Sequence, residues 1–172
     1  TVWTGIYGAN RADIRLENGA EFTLVQQTDY PWNGEIHFTF ENVKSDRGFQ
    51  LNIRVPDWAE NGFIRVNNKT RKLTAEESST YQTVEVKDPA QTEVEVFFEM
   101  KARHTVANSM AEENSNQAAI EYGPLVYCCE TPDADVETLD DILLNLNAEY
   151  RQMEMEIAGR KIQALEADEY CI

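Results

Sequence analysis

Apolar residues recur at every second position through much of the first hundred residues, as a pleated strand with one buried face requires. Ile36, Phe38 and Phe40 form one such set, and Phe49, Leu51, Ile53 and Val55 another. Val84 with Val86, and Val94 with Val96 and Phe98, continue the pattern around the polar alternates Thr83, Glu85, Glu93 and Glu95; Phe97 alone breaks it. Turn chemistry separates the runs. Asn33-Gly34 predicts a primed hairpin turn, which needs positive φ, between a strand ending near Thr28 and one starting at Glu35. Asn67-Asn68 does similar duty after Phe63-Ile64-Arg65-Val66. Pro56 ends its strand because it has no N–H for a sheet ladder. Seven or so short strands with no long helical pattern between them predict an all-β fold, an antiparallel, jelly-roll-like sandwich rather than a βαβ architecture.

After Lys101 the signal weakens. Asn108 to Asn116 is polar and predicts an exposed loop, and strands resume at Ala118 to Tyr122 and Pro124 to Cys129. Asp133 to Leu146 reads two ways: Val136, Leu139, Leu143 and Leu146 have helical spacing, with Asp133 or Asp135 as a cap, while Ile142-Leu143-Leu144 fits a short buried strand. Arg151, Met153, Met155 and Ile157 alternate with Gln152, Glu154 and Glu156 as a strand does, and Gly159 makes the turn to Lys161 to Ala167. The chain stops at Glu169-Tyr170-Cys171-Ile172 as a strand is ending or starting, without a capping tail, so the second sandwich is expected to be incomplete here.

Charge supports a division. Thr1 to Arg103 carries 16 acidic and 12 basic residues, His104 to Ile172 15 and 3. Two packed sandwich units are predicted, residues 1–102 and 103–172. The whole chain has a net charge of −16, which repels phosphate backbones and anionic lipid headgroups and argues against nucleic-acid or membrane partners. No apolar run approaches the roughly 18 residues of a spanning helix.

Among chemical candidates, Cys128-Cys129 stands out, since paired thiolates ligate zinc or supply a nucleophile. Neighbours on a strand point to opposite faces, no CxxC spacing occurs, and the nearest His is His104; the pair reads as ordinary buried strand residues. His37 and His104 lack a motif context, and His37 lies on the polar side of its strand. Glycosidase chemistry needs two opposed carboxyl groups, and 31 acidic residues do not single out a pair. The aromatic residues offer binding instead. Tyr30, Trp32 and Trp58, with Trp3 and Tyr7, either stack on the apolar faces of sugar rings or fill a core or domain interface, and packing is the favoured reading.

Four segments in order, Thr28-Asp29-Tyr30-Pro31-Trp32-Asn33-Gly34, Leu51 to Ala59 (LNIRVPDWA), Val66-Asn67-Asn68, and Glu121 to Cys128 (EYGPLVYC), resemble the C-terminal region of glycoside hydrolase family 127, which includes bacterial β-L-arabinofuranosidases. The family pattern often has Asn-Gly at Asn67-Asn68 and Cys-Leu-Glu at Cys128-Cys129-Glu130. The resemblance implies a non-catalytic, accessory pair of β-sandwich domains packed against an upstream (α/α)-barrel. The cysteine nucleophile and the zinc, held by cysteines and a glutamate, belong to that barrel. The family's own Cys-Cys pair is followed by Pro-Pro, whereas Cys128-Cys129 is followed by Glu130-Thr131, so no catalytic, cofactor or metal residue is carried over. Tyr30, Trp32 and Trp58 remain as domain-interface or sugar-stacking candidates. The partners implied are the barrel of the same chain, a second copy, or a glycan, in a bacterial parent acting in the periplasm or outside the cell.

Overall fold

A computed structural model of the chain describes residues 1–45, 47–129, 137, 142–145, 147–167 and 170–171. Internal contacts divide it into two units, Thr1–Met100 and Lys101–Ile172.

The first unit contains β1 (Val2–Thr4), β2 (Asn10–Arg15), β3 (Glu21–Thr28), β4 (Glu35–Glu41), β5 (Phe49–Arg54), β6 (Gly62–Val66), β7 (Lys69–Leu73), β8 (Tyr81–Val86) and β9 (Glu93–Phe98). Six of them form one sheet in the order β2-β3-β4-β9-β6-β7, antiparallel at every pairing. The other three form a sheet in the order β1-β5-β8. There β5 and β8 are antiparallel, but β1 runs parallel to β5, with Trp3 opposite Asn52, a departure from the wholly antiparallel expectation.

The inward alternates meet between the sheets. Phe22, Leu24, Ile36, Phe38, Phe40, Ile64, Val94, Val96 and Phe98 from the large sheet join Phe49, Leu51, Ile53, Val84 and Val86 from the small one in a single buried cluster. The Phe22 and Phe49 rings stack across the gap at 4.5 Å and 11°. Burial of each such side chain contributes about 1.5–3 kcal/mol, which is what holds two sheets face to face. Phe97, the residue out of pattern, faces outward and packs on Phe63 at 5.6 Å, directly opposite it in the ladder.

Asn33-Gly34 is not the primed turn its sequence predicts. Six residues separate β3 from β4, and neither Asn33 nor Gly34 takes a positive φ. The Asn33 Oδ1 accepts the Glu35 N–H at 3.0 Å, and Gly34 is required because an added Cβ would stand 1.9 Å from the Phe98 carbonyl oxygen. Asn67 does take a positive φ, 51°, in the two-residue link from β6 to β7. Its amide side chain also bonds the Gln91 carbonyl and the Glu93 N–H, each at or under 3.0 Å.

The second unit contains β10 (Ala102–Val106), β11 (Ala118–Tyr122) and β12 (Leu125–Tyr127) in one antiparallel sheet. β14 (Tyr150–Ile157) and β15 (Arg160–Ala167) form a hairpin turned by Ala158 and Gly159, both at positive φ. β13 (Leu143–Leu144) pairs with β16 (Tyr170–Cys171). Leu143 and Leu144 thus form the short strand, exposed rather than buried; Asp133, Asp135, Val136, Leu139 and Leu146 lie outside the described residues. The strand expected over Pro124 to Cys129 ends at Tyr127. Cys128 and Cys129 are exposed beyond it, not buried within it.

Candidate functional site

The aromatic candidates collect at one end of the first unit, on the loop after β3 and the segment after β5. Thr28, the last residue of β3, accepts the Tyr30 N–H at 2.9 Å on its hydroxyl, and the Asp29 carbonyl accepts the Trp32 N–H at 2.9 Å, so the loop folds back on itself. After Arg54 the chain turns at Pro56, whose carbonyl accepts the Ala59 N–H at 3.2 Å, bringing Trp58 back over the end of the core. The rings then meet. Tyr30 stacks on Trp58 at 6.4 Å and 21°, Trp58 meets Phe98 edge-on at 6.0 Å, and Tyr7 touches both Tyr30 and Phe98 at 5.6 Å.

Tyr30 and Trp58 are therefore brought together, partly buried against the core, while Trp32 stays half exposed. Tyr7 is buried and donates its hydroxyl to the Arg54 carbonyl. Burial pushes the Tyr7 phenol well above the ordinary tyrosine range. It raises the Tyr30 phenol too, against an opposing hydrogen bond from Trp58. Both phenols are neutral at physiological pH.

Sequence reasoning missed Tyr81. It is the aromatic member of an outward row with Thr83 and Glu85, and that alternation was the available signal. Its ring meets Trp3 edge-on at 4.9 Å on the outer face of the small sheet. Beneath them, Asn52 accepts the Thr83 hydroxyl at 2.6 Å on Oδ1 and the Thr4 hydroxyl at 3.0 Å on its carbonyl, which stitches β1, β5 and β8 together.

Elsewhere the chemical candidates stay apart. His37 is exposed on the outer face of the large sheet, opposite Glu95. His104 lies in the second unit, where its Nε2 is 2.9 Å from the Tyr150 hydroxyl. Among the described residues no three His, Cys, Asp or Glu side chains gather as a metal site would need.

Comparisons with known proteins agree on a family. Residues 1–100 match the family model described as the β-L-arabinofuranosidase, GH127 middle domain, and residues 102–165 match the glycoside hydrolase family 127 C-terminal domain. The chain is similar to a non-reducing end β-L-arabinofuranosidase of Bifidobacterium longum subsp. longum, at 30% identity over 125 residues covering 69% of this chain and 19% of that protein. A solved glycoside hydrolase superposes with a TM-score of 0.85 at 32% identity, over 96% of this chain and 27% of the other. A GH127 β-L-arabinofuranosidase from Geobacillus stearothermophilus T6 shares the fold, with a TM-score of 0.83 at 21% identity, over 96% of this chain and 26% of that one. The chain thus spans about a fifth to a quarter of the length of these relatives. With both of its units matched by the corresponding domain models, the chain belongs to glycoside hydrolase family 127, as its middle and C-terminal domains.

Proposed function

We propose that this chain is the non-catalytic, accessory part of an arabinofuranosidase-like glycoside hydrolase, supporting a catalytic region elsewhere in the parent. The observation that carries this reading is the commitment of Tyr30, Trp58 and Tyr7 to mutual packing at the end of a core. By analogy with the relative's name, the parent's substrate is a glycan ending in a non-reducing β-L-arabinofuranosyl residue. Zinc and the nucleophile belong, on this reading, to the upstream region, which is the main partner. The test is turnover of an aryl β-L-arabinofuranoside by the parent and by the 172-residue chain at equal concentration. Activity in the parent alone is expected; turnover by the chain alone overturns the reading.

A second reading, a carbohydrate-binding module, is favoured by one observation: Trp32 and Trp3 are both exposed. Saturable quenching of tryptophan fluorescence by an arabinose-containing oligosaccharide, lost in a folded Trp32→Ala or Trp3→Ala variant, would establish it.

A further inference from the structure

Among the described residues of the first unit, four large apolar side chains stay exposed: Trp3 (62%), Ile6 (87%), Trp32 (50%) and Tyr81 (44%). They are not scattered. Trp3 and Tyr81 touch. Gly5, between Trp3 and Ile6, lies under the Tyr81 hydroxyl, which stands 3.3 Å from where a Cβ would be. Arg54, opposite Tyr81 in the β5–β8 ladder, reaches back toward the Gly5 carbonyl at 3.5 Å. Tyr7 then connects this group to Tyr30, on the loop that carries Trp32. Trp3, Ile6 and Tyr81 thus gather around Gly5 and Arg54.

Single exposed apolar residues are ordinary, but a contiguous apolar patch with polar edges marks a contact surface. Aromatic side chains with an arginine among them are the composition of an interface centre, where buried Trp, Tyr and Arg carry most of the energy. Charge and ring geometry discriminate among occupants. A second copy brings another net charge of −16 against this one. A sugar is held by rings lying flat beneath it, whereas Trp3 and Tyr81 stand at 81° to each other. The relatives that share this fold, in contrast, carry about three quarters or more of their length outside the matched span.

We infer that the Trp3–Ile6–Tyr81 end of the first unit, with Arg54 at its edge, is the face that docks on the part of the parent lying outside these 172 residues. The inference rests on the accessory reading above and adds the surface that does the supporting. Ile6 and the Trp3 ring supply the apolar centre, and the Arg54 guanidinium supplies hydrogen-bond donors at the rim.

Hydroxyl-radical footprinting of the intact parent tests it, with Met110 of the second unit as the exposed standard and Phe38 as the buried one. Trp3, Ile6 and Tyr81 are expected to oxidise several-fold more slowly than their exposure in this chain implies, close to the Phe38 rate, at every protein concentration. Oxidation at rates in line with Met110 overturns the inference. Protection that fades on dilution assigns the face to a second copy, and protection that appears only with added arabinose-containing oligosaccharide assigns it to a glycan; both also overturn it. The accessory reading fails separately: turnover by the 172-residue chain alone would end it whatever the footprint shows.

Discussion

The two units teach different lessons about the same signal. Alternation of apolar and polar residues runs through both, yet in the first it produces a core with Phe38, Ile36, Leu51, Ile53, Val96 and Phe98 at or near complete burial. In the second, Gly123 is the only buried residue among those described, and Met153, Ile157 and Ile162 remain partly or largely exposed on the β14–β15 hairpin. The difference lies in what faces each strand. The first unit sets two sheets against each other, so one face of every long strand finds an apolar partner. Among the described residues the second unit offers a three-stranded sheet, a hairpin and a two-residue pairing. A periodic pattern names the face to be buried but does not supply what buries it.

Truncation breaks the comparison most sharply. Phe38→Ala is expected to cost about 3–5 kcal/mol, since it opens a cavity between the sheets, whereas Ile157→Ala should cost under about 0.5 kcal/mol. Guanidinium unfolding followed by far-ultraviolet circular dichroism, which reports the strands of both units, separates the two. Equal losses would mean that the hairpin is as tightly packed as the core.

Glycines sharpen it next. Gly34→Ala drives a methyl into the Phe98 carbonyl and is expected to cost about 3 kcal/mol, the upper end for overpacking. Gly159→Ala meets no neighbouring atom and is penalised only for its φ of 76°, about 1 kcal/mol. Thermal melts of the two variants should differ in that order.

The smallest expected effect is alkaline. Tyr7, Tyr30, Tyr127 and Tyr150 all have phenols raised by burial. Below about pH 10 folded and unfolded phenols are both protonated and the contribution to stability is fully present. Above it the unfolded chain ionises first, so stability falls as pH rises toward the raised folded value. Because Tyr7 is the most buried of the four, a Tyr7→Phe variant should flatten the pH dependence of unfolding above pH 10 more than Tyr150→Phe does. An equal flattening by the two would remove this distinction between the units.

Much of the architecture was readable from residues. Strand positions follow from alternation, and Pro56 marks the turn that carries Trp58. What escaped was everything set by distant neighbours. The parallel pairing of β1 with β5 joins residues 2–4 to 51–53, a relation that local pattern does not encode. Asn33-Gly34 carries the composition of a primed turn, yet its glycine answers to the Phe98 backbone more than sixty residues away. Cys128 and Cys129 continue an apolar run and so read as buried, while β12 stops one residue earlier. At the candidate site, Tyr30, Trp32 and Trp58 were legible as interface or sugar-stacking candidates, but the meeting of the Tyr30 and Trp58 rings was not, because it joins segments that local pattern does not relate. Tyr81 shares an outward row with Thr83 and Glu85 that the sequence does show, but its contact with Trp3 joins residues that local pattern does not relate.

Asn33-Gly34 has a consequence for the chemical lifetime of the protein. An asparagine followed by glycine ages quickly in a loose peptide, because the next residue's amide nitrogen attacks the side-chain carbonyl to close a succinimide ring and expel ammonia. Here the Asn33 Oδ1 is tethered to the Glu35 N–H, and the Gly34 carbonyl holds the Phe98 N–H at 3.0 Å. Neither partner in the ring closure is at liberty to rotate toward the other. The close approach that makes glycine obligatory at this position thereby shields the asparagine beside it from the spontaneous deamidation that the glycine would otherwise invite.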